Sequence, residues 1–355
     1  MARRLNPYQQ LLWRNPNTAQ IGLGPSAVTL AGVTKEQQRF IDALYYGFGE
    51  SQVDAMAAQS KLPSDQAEAL LAQLEPMLIE DHGAGQRRGK LELGSNPSGL
   101  ALGELVRASL LRGYDGQSVL AARHSDVIYL ESLDKTGLLL CQVLAAAGVG
   151  YFIIGDADTV SRTDLGNDGY PRGLLGQDRI DAAQRILDAI GGTAKLVPLK
   201  GIRTSQLHKV TLAIFSAQQV IDPKPIDRWV KRGTPLLGIT FESEGATVSA
   251  VLRNNFNGCF RCEHLNRSTL DAHWPEISSQ LLASELRFDD AVTRSVAVGL
   301  AAQNALAFLD TQNGFGETDS NGMVYRTETK SLVAKPYQWN STCDCRALLE
   351  QMEVA

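Results

Sequence analysis

Between residues 9 and 31 apolar and polar positions alternate in three short runs, QQLLWR, AQIGLG and AVTLAG, separated by Asn-Pro-Asn and Gly-Pro-Ser. A period of two between turn residues predicts three strands. The period then lengthens. In KEQQRFIDALYYG the apolar residues Phe40, Ile41 and Leu44 share one helical face, with Thr34 placed to cap the helix. Ser51 is expected to cap QVDAMAAQS in the same way. Ser64 is expected to cap DQAEALLAQLEPMLIED, where Leu70, Leu71, Leu74 and Leu78 form an apolar stripe. Three strands and three helices within residues 1–80 predict a winged-helix domain. Such domains often read DNA, but a reading helix carries Arg and Lys for phosphates. The third helix carries Asp65, Glu68 and Glu75 and no basic residue, so DNA binding is not expected.

Residues 81–99, DHGAGQRRGKLELGSNPSG, are rich in Gly and charge and read as a linker, or else as a loop within one continuous domain. Beyond residue 117 the pattern changes. SDVIYL reads as a buried strand, TGLLLCQVLAAAG as a buried helix and VGYFIIGDAD as a second strand. That βαβ unit predicts an α/β domain over residues 100–355, with a doubly wound, parallel, Rossmann-like sheet. Asp178 to Ile190 supplies another helix, and AKLVPL and VTLAIFS continue the alternation. Pro223 to Gly233 reads as a short helix, PLLGITFESEGATVSAVL as paired strands, and Thr293 to Leu309 as a long Ala-rich buried helix.

A chain of 355 residues suits two domains. A net charge of −5 argues against a general nucleic-acid binder, which needs a basic surface. An aromatic content of 6% argues against a stacking platform for single strands. The longest apolar stretches contain Gln142 or Gly residues and fall short of a membrane span. The opening MARRLNPYQQ has no apolar stretch of the kind a signal peptide carries, so a reducing, cytoplasmic setting is expected.

Four cysteines sit in two tight pairs, Cys259-x-x-Cys262 and Cys343-x-Cys345. Thiolates at this spacing make a tetrahedral site for Zn²⁺. A disulfide framework competes with that reading, and a reducing compartment disfavours it. Four thiolates leave no open position for water, so the expected zinc is structural rather than catalytic. His264 is an alternative ligand in place of one thiolate. Cys141, inside LLLCQVLAAA, reads as core.

In an open α/β sheet, phosphates bind at the turn after the first strand, where glycines allow close backbone approach. That turn here runs Glu131-Ser132-Leu133-Asp134-Lys135-Thr136-Gly137. Set against G-x-G-x-x-G, the first two glycine positions hold Ser132 and Asp134, and only Gly137 remains. A carboxylate about 4 Å from a phosphate charge repels it by roughly 4 kcal/mol at an effective dielectric near 20. Lys135 reads either as an offset to that repulsion or as a solvated loop residue. ATP is therefore not an expected cofactor.

GVGYFIIGDADTV (Gly148 to Val160) resembles a signature of the ThiF/MoeB-like, ubiquitin-activating-enzyme-like family, which includes the sulfur-carrier adenylyltransferases. The resemblance implies that Asp156 stands where the family meets the nucleotide ribose, and that the two cysteine pairs hold structural zinc. GCFRCEHLNRSTLDAHWPEISSQL (Gly258 to Leu281), DLGNDGY and GQDRIDAAQRIL resemble a narrower branch. Its members accompany YcaO-type cyclodehydratases in making azoline peptides of the thiazole/oxazole-modified microcin class. The resemblance covers roughly residues 115–350.

Proteins of that branch often begin with a winged-helix module that recognises the leader of a ribosomally made precursor peptide, which residues 1–80 resemble. The leader adds as a strand beside the third strand and packs on the third helix. The resemblance implies a groove between Ala27, Val28, Thr29 and Leu30 on one side and Ala67, Leu70, Leu71 and Leu74 on the other. At helical spacing most of those leucines are expected to be core, with only the edge of the stripe meeting peptide.

Active members of the family need the glycine loop, an Arg after the Asp-x-Asp strand and an Asp for Mg²⁺. Here the loop is lost, and Arg162 and Arg172 do not stand in the family's Asn-Arg-Gln setting. Asp222 is followed by Pro223 and reads as a turn residue, and His208 reads as structural. The resemblance thus implies a non-catalytic, homodimeric partner of a cyclodehydratase. The alternatives are an ATP-dependent adenylyltransferase acting on a peptide carboxylate or amide and, last, a zinc-containing nicotinamide oxidoreductase.

Overall fold

The structure, a computed structural model, describes residues 2–80, 102–314 and 321–346. The chain divides into two compact units, Met1–Ala122 and Arg123–Ala355. The expected linker at 81–99 lies outside the described residues.

In the first unit β1 (Arg3–Leu5) stands apart from a meander of β2 (Leu11–Asn15), β3 (Thr18–Ile21) and β4 (Val28–Ala31). Helices α1 (Lys35–Leu44), α2 (Val53–Ser60) and α3 (Ser64–Leu74) follow, and β5 (Leu78–Glu80) returns to pair antiparallel with β1. Helix α1 begins where its pattern predicts: the Thr34 side chain accepts from the Gln37 amide at 3.2 Å, and Gln37 Oε1 accepts from the Thr34 amide at 2.9 Å. This reciprocal cap satisfies two of the helix's unpaired donors. The other two expected caps are not formed. Ser51 lies inside a short 3₁₀ turn, Glu50–Gln52, that opens α2, and Ser64 is already helical because Pro63 takes the cap position.

Helix α3 also stops earlier than its apolar stripe suggests. Pro76 has no N–H for the ladder, the chain tightens into a 3₁₀ turn over Glu75–Met77, and Leu78 leaves as a strand residue opposite Leu5. The core of the unit joins Leu5, Ile21, Leu30, Phe40, Ile41, Leu44, Ala67, Leu70 and Leu74. Helix α4 (Leu102–Arg112) belongs with it: Ser109 hydrogen-bonds Asn6, and Arg4 pairs with Asp115 at 2.7 Å. Helix α5 (Gly116–Ser125) runs across the division between the units.

The second unit is built on strands β6 (Val127–Leu130), β7 (Tyr151–Ile154), β8 (Lys195–Pro198), β9 (Val210–Gln218), β10 (Leu236–Glu242) and β11 (Gly245–Val248). Two further strands, β12 (Gly322–Arg326) and β13 (Ser331–Lys335), complete the sheet in the order β13-β12-β11-β10-β9-β6-β7-β8. Strands β10, β9, β6, β7 and β8 run parallel, and the rest extend the sheet antiparallel. Its helices are α6 (Lys135–Ala146), α7 (Arg179–Ala189), α8 (Asp227–Val230), α9 (Phe260–Leu270), α10 (Trp274–Leu282) and α11 (Ala291–Gln312).

Both faces of the sheet are covered, so its parallel strands read as apolar runs. Ile128, Leu130, Phe152 and Ile154 point to one core with Leu140, Cys141 and Leu144 of α6 and Ala297 and Ala301 of α11. The intervening Tyr129 and Ile153 point to a second core with Trp229, Phe260 and the four paired cysteines. Helix α11 corrects one expectation: it is long and apolar enough to cross a membrane, although half of its apolar stretch is buried inside the unit. Its small residues Ala297, Ala301 and Ala305 are fully buried and let it lie close on the sheet.

Strand β6 has β7 on one side and β9 on the other. The chain therefore reverses direction across β6, and the carboxyl ends of β6 and β9 part to leave the crevice that open α/β sheets use for ligands.

Candidate functional site

At the turn after β6, Asp134 stands at the head of α6 and its Oδ1 accepts from the amides of Thr136 at 3.0 Å and Gly137 at 3.1 Å. These are the donors that a helix N-terminus offers to phosphate. Arg287 reaches Asp134 Oδ2 at 3.4 Å and Asp289 Oδ2 at 2.9 Å. The remaining glycine is there for packing: a Cβ on Gly137 would lie 1.8 Å from the Ser132 carbonyl oxygen.

Asp156 is drawn into the same network. Its Oδ2 accepts from the Leu133 amide at 2.7 Å, Ser132 Oγ at 3.2 Å and Arg179 Nη1 at 3.0 Å, while Oδ1 accepts from the Asp158 amide at 2.8 Å. Ser132, Asp134, Gly137 and Asp156 are thus brought together, and their polar atoms bond one another, neighbouring backbone amides, Arg179 and Arg287. Arg162 and Arg172 lie exposed. The arginine that meets Asp156 is Arg179, which sequence reasoning missed. Its signal is its place directly after Asp178, the residue that caps α7.

The charges continue outward in alternation. Arg179 also pairs with Asp164 at 2.8 Å, Lys135 with Asp168 at 3.3 Å, and Arg294 with both Asp168 and Asp289. Burial pushes the Asp164 carboxyl up, but hydrogen bonds from Ser161 and Arg179 outweigh it and hold it below the usual range. Asp168 and Asp289 are likewise lowered, against burial, by Lys135 and by Arg287 with Arg294. Carboxyls with depressed folded-state values stabilise the fold above their unfolded value of about 4 and lose that contribution as pH falls through the folded one. Thermal melts from pH 7 down to pH 3 should therefore show a steep loss below about pH 4. An Asp164→Asn variant should be less stable at pH 7 and decline less steeply with acid; an unchanged acid limb would refute this assignment.

Beside the turn, at the parted ends of β6 and β9, lies a cleft of about 300 Å³ bordered by Glu131, Gln218, Asp222, Leu281 and Leu282. The Tyr129 hydroxyl donates to Glu131 Oε2. Burial, then this hydrogen bond, raises the Tyr129 hydroxyl above its ordinary value. Asp222 accepts from the Lys224 amide at 2.9 Å, in keeping with a turn residue. The chain bends into this turn through Gln219, whose φ of 63° is left-handed, a costly conformation for a residue with a Cβ.

In the core that Tyr129 and Phe215 share on that face of the sheet, the two cysteine pairs converge. Cys259 and Cys262 lie at the start of α9, and Cys343 and Cys345 come from the segment after β13. The sulfurs of Cys259 and Cys262 are 3.9 Å apart, those of Cys259 and Cys343 3.8 Å, and those of Cys262 and Cys345 3.6 Å. A disulfide needs about 2.05 Å, so these are separate thiols. A tetrahedral ion with Zn–S bonds of about 2.3 Å would hold its sulfurs roughly 3.8 Å apart. All four residues are buried, and together they can hold a metal ion such as zinc.

His264 does not join them: its Nε2 lies 3.0 Å from the Ile221 carbonyl oxygen, and its Nδ1 accepts from Trp274 Nε1 at 3.3 Å. Hydrogen bonds from Cys259 and Cys345 pull the Cys262 thiol down, while Cys262 pushes Cys259 up. The thiols thus resist sharing more than one negative charge unless a cation joins them. Gly258, at φ 95°, passes so near that a Cβ there would come within 2.9 Å of Cys262 Sγ.

In the first unit, Leu30, Ala67, Leu70 and Leu74 are buried in one core, Ala27, Val28 and Leu71 are half-buried, and Thr29 is exposed. Of the stripe on α3, only Leu71 is left at the edge. Among the described residues β4 pairs with β3 alone, so its outer edge carries backbone groups without ladder partners.

No protein-family model matches the sequence, and no curated protein matches it either. Solved structures do resemble it. MccB of E. coli, solved with succinimide, is 13% identical with a TM-score of 0.66, over 97% of this chain and 99% of that one. The microcin C7 biosynthetic enzyme MccB in complex with N-formylated MccA is 14% identical, with a TM-score of 0.63 over 98% and 100% of the two chains. PaaA is 12% identical, with a TM-score of 0.63 over 93% and 98%. The likeness runs through both units, and the chain shares its fold with MccB and PaaA.

Proposed function

We propose that this chain is a non-catalytic, peptide-binding partner protein. It captures the leader of a ribosomally made precursor on a winged-helix recognition module, and it presents the precursor to a separate YcaO-type, ATP-dependent cyclodehydratase for azoline formation. The observation that carries the non-catalytic part is Asp134, whose carboxylate takes the α6 amides that a triphosphate would need. A relative in fold, MccB, has been solved with ATP and with MccA. Here Ser132, Arg179 and two backbone amides occupy Asp156 as well, so a ribose would have to displace them. The partly open β4 edge supports the peptide part, because strand addition needs only backbone groups plus pockets for alternate side chains. Tethering a leader raises the local concentration of the segment to be modified at the partner's active site. The reading includes a cytoplasmic setting, a homodimer and a structural zinc on Cys259, Cys262, Cys343 and Cys345.

Two measurements test it. The purified chain should show no ATP–pyrophosphate exchange and no calorimetric binding of ATP with Mg²⁺. Exchange by the chain alone would establish instead the second reading, an adenylyltransferase acting on a peptide carboxylate or amide, which the ATP complex of MccB favours. For the peptide, successive N–H groups of an edge strand alternate in direction, so of Val28→Pro and Thr29→Pro one removes an outward donor and the other a donor to β3. The outward one should lower affinity for a short Cys-, Ser- or Thr-rich precursor peptide, to be sought as a small open reading frame beside a YcaO-type gene, by roughly tenfold, the worth of one or two backbone hydrogen bonds. Undiminished binding in both variants would move the leader site elsewhere.

A further inference from the structure

The cleft at the ends of β6 and β9 differs from the turn beside it in one respect: its carboxylates lack cations. Around the turn Asp134, Asp156, Asp164, Asp168 and Asp289 each meet an Arg or Lys. Glu131 and Asp222 form no ion pair with any described residue. Each receives one hydrogen bond, Glu131 from the Tyr129 hydroxyl on Oε2 and Asp222 from the Lys224 amide on Oδ1. Their other oxygens, Glu131 Oε1 and Asp222 Oδ2, have no protein donor among the described residues. Both residues are half-buried, where an uncompensated negative charge is costly.

The rest of the lining is uncharged. Leu281 and Leu282 form part of it, and no Lys or Arg borders the cleft among the described residues. Arg228 lies near enough to lower the Tyr129 hydroxyl but outside the lining. At about 300 Å³ the cleft is at the lower end of the range for ligand pockets.

The geometry points to a subsite for one basic side chain of a bound peptide. The aliphatic stem of a Lys or Arg lies along Leu281 and Leu282, and its ammonium or guanidinium meets Glu131 and Asp222. This inference rests on the chain being a peptide binder and adds a preference to it: a Lys or Arg in the precursor, seated on the second unit.

The test is calorimetric titration of the full chain with N-acetyl-Gly-Lys-Gly-amide, its Arg counterpart, and the norleucine counterpart, which keeps the stem and drops the charge. The basic peptides should bind at least roughly tenfold more tightly than norleucine, as charge-assisted hydrogen bonds require. Glu131→Gln and Asp222→Asn should each remove most of that preference. Leu282→Arg places a cation of the chain's own at the cleft; Leu282 is 44% exposed, so this variant should fold and should block the basic peptides. Equal affinity for the Lys and norleucine peptides, no binding of any of them, or Lys binding indifferent to all three substitutions would overturn the subsite. A chain that still captured its precursor through β4 would then lose this subsite alone. Basic-peptide binding without precursor capture would instead remove the leader reading and leave the cleft's preference standing.

Discussion

Cys259→Ser should strip the metal from the second unit and lower its melting temperature by roughly 10 °C or more. The four sulfurs join the first turn of α9 to the segment after β13, across 84 positions of sequence between Cys259 and Cys343. Phe260, Trp229, Leu236 and Leu252 pack around them in the same core. Structural zinc in small sites contributes on the order of 10 kcal/mol of apparent binding free energy, and that energy is folding energy. A third of it corresponds to the expected shift, at 2–4 °C per kcal/mol for a unit of this size. Elemental analysis of the purified chain should give close to one equivalent of zinc, and the variant far less. A serine variant with unchanged metal content and melting would remove the cysteines from any structural role.

Asp310→Ala should cost about 3–5 kcal/mol without touching any proposed ligand site. Asp310 is fully buried on α11, and Arg123 grips it with both ends of the guanidinium, at 2.7 and 2.8 Å. A third donor of Arg123 reaches the Ala147 carbonyl oxygen at 3.0 Å, which ties the end of α5 to the end of α6 and to α11. Removing Asp310 alone takes two charge-assisted hydrogen bonds from the buried Arg123, whereas replacing both partners with apolar residues of similar volume removes the charges together. The double variant Arg123→Met with Asp310→Leu should therefore be more stable than Asp310→Ala alone in urea titration. If the single variant unfolds at the wild-type midpoint, the pair is ornamental.

Much of this architecture was legible in the chain because its signals are local. The alternation before residue 31, the cap at Thr34 and the apolar strands flanking Gly137 each encode their element within a few residues. What was hidden is non-local. Strand β1 is three residues long and acquires its partner only when Leu78–Glu80 returns to it. Strands β12 and β13 end one side of the sheet, are short and mostly half-exposed or exposed, and have no strong period of their own. Proline decided the end of α3 against the pull of the apolar stripe, and it took the cap position from Ser64.

The site followed the same rule. The cysteine pairs announce themselves by spacing, and the turn after β6 shows Ser132 and Asp134 where a phosphate loop has glycines. The partners that these residues take are not visible. Arg179, Arg287 and Arg294 stand far apart in sequence, and nothing local marks an arginine on a helix start as the partner of a distant aspartate. Asp222 could be read as a turn residue, but its place across from Glu131 in one cleft depends on the crossing of β9 to the far side of β6.

The carboxylate at the head of α6 has a consequence for the protein in the cell. Its anion is covalently attached and cannot be diluted, so that helix end is satisfied at every metabolite level. Stabilisation by a free ligand grows with the logarithm of its concentration, whereas this one is constant. Depletion of free nucleotide or phosphate would therefore leave the capping of this helix, and its share of the fold's stability, unchanged.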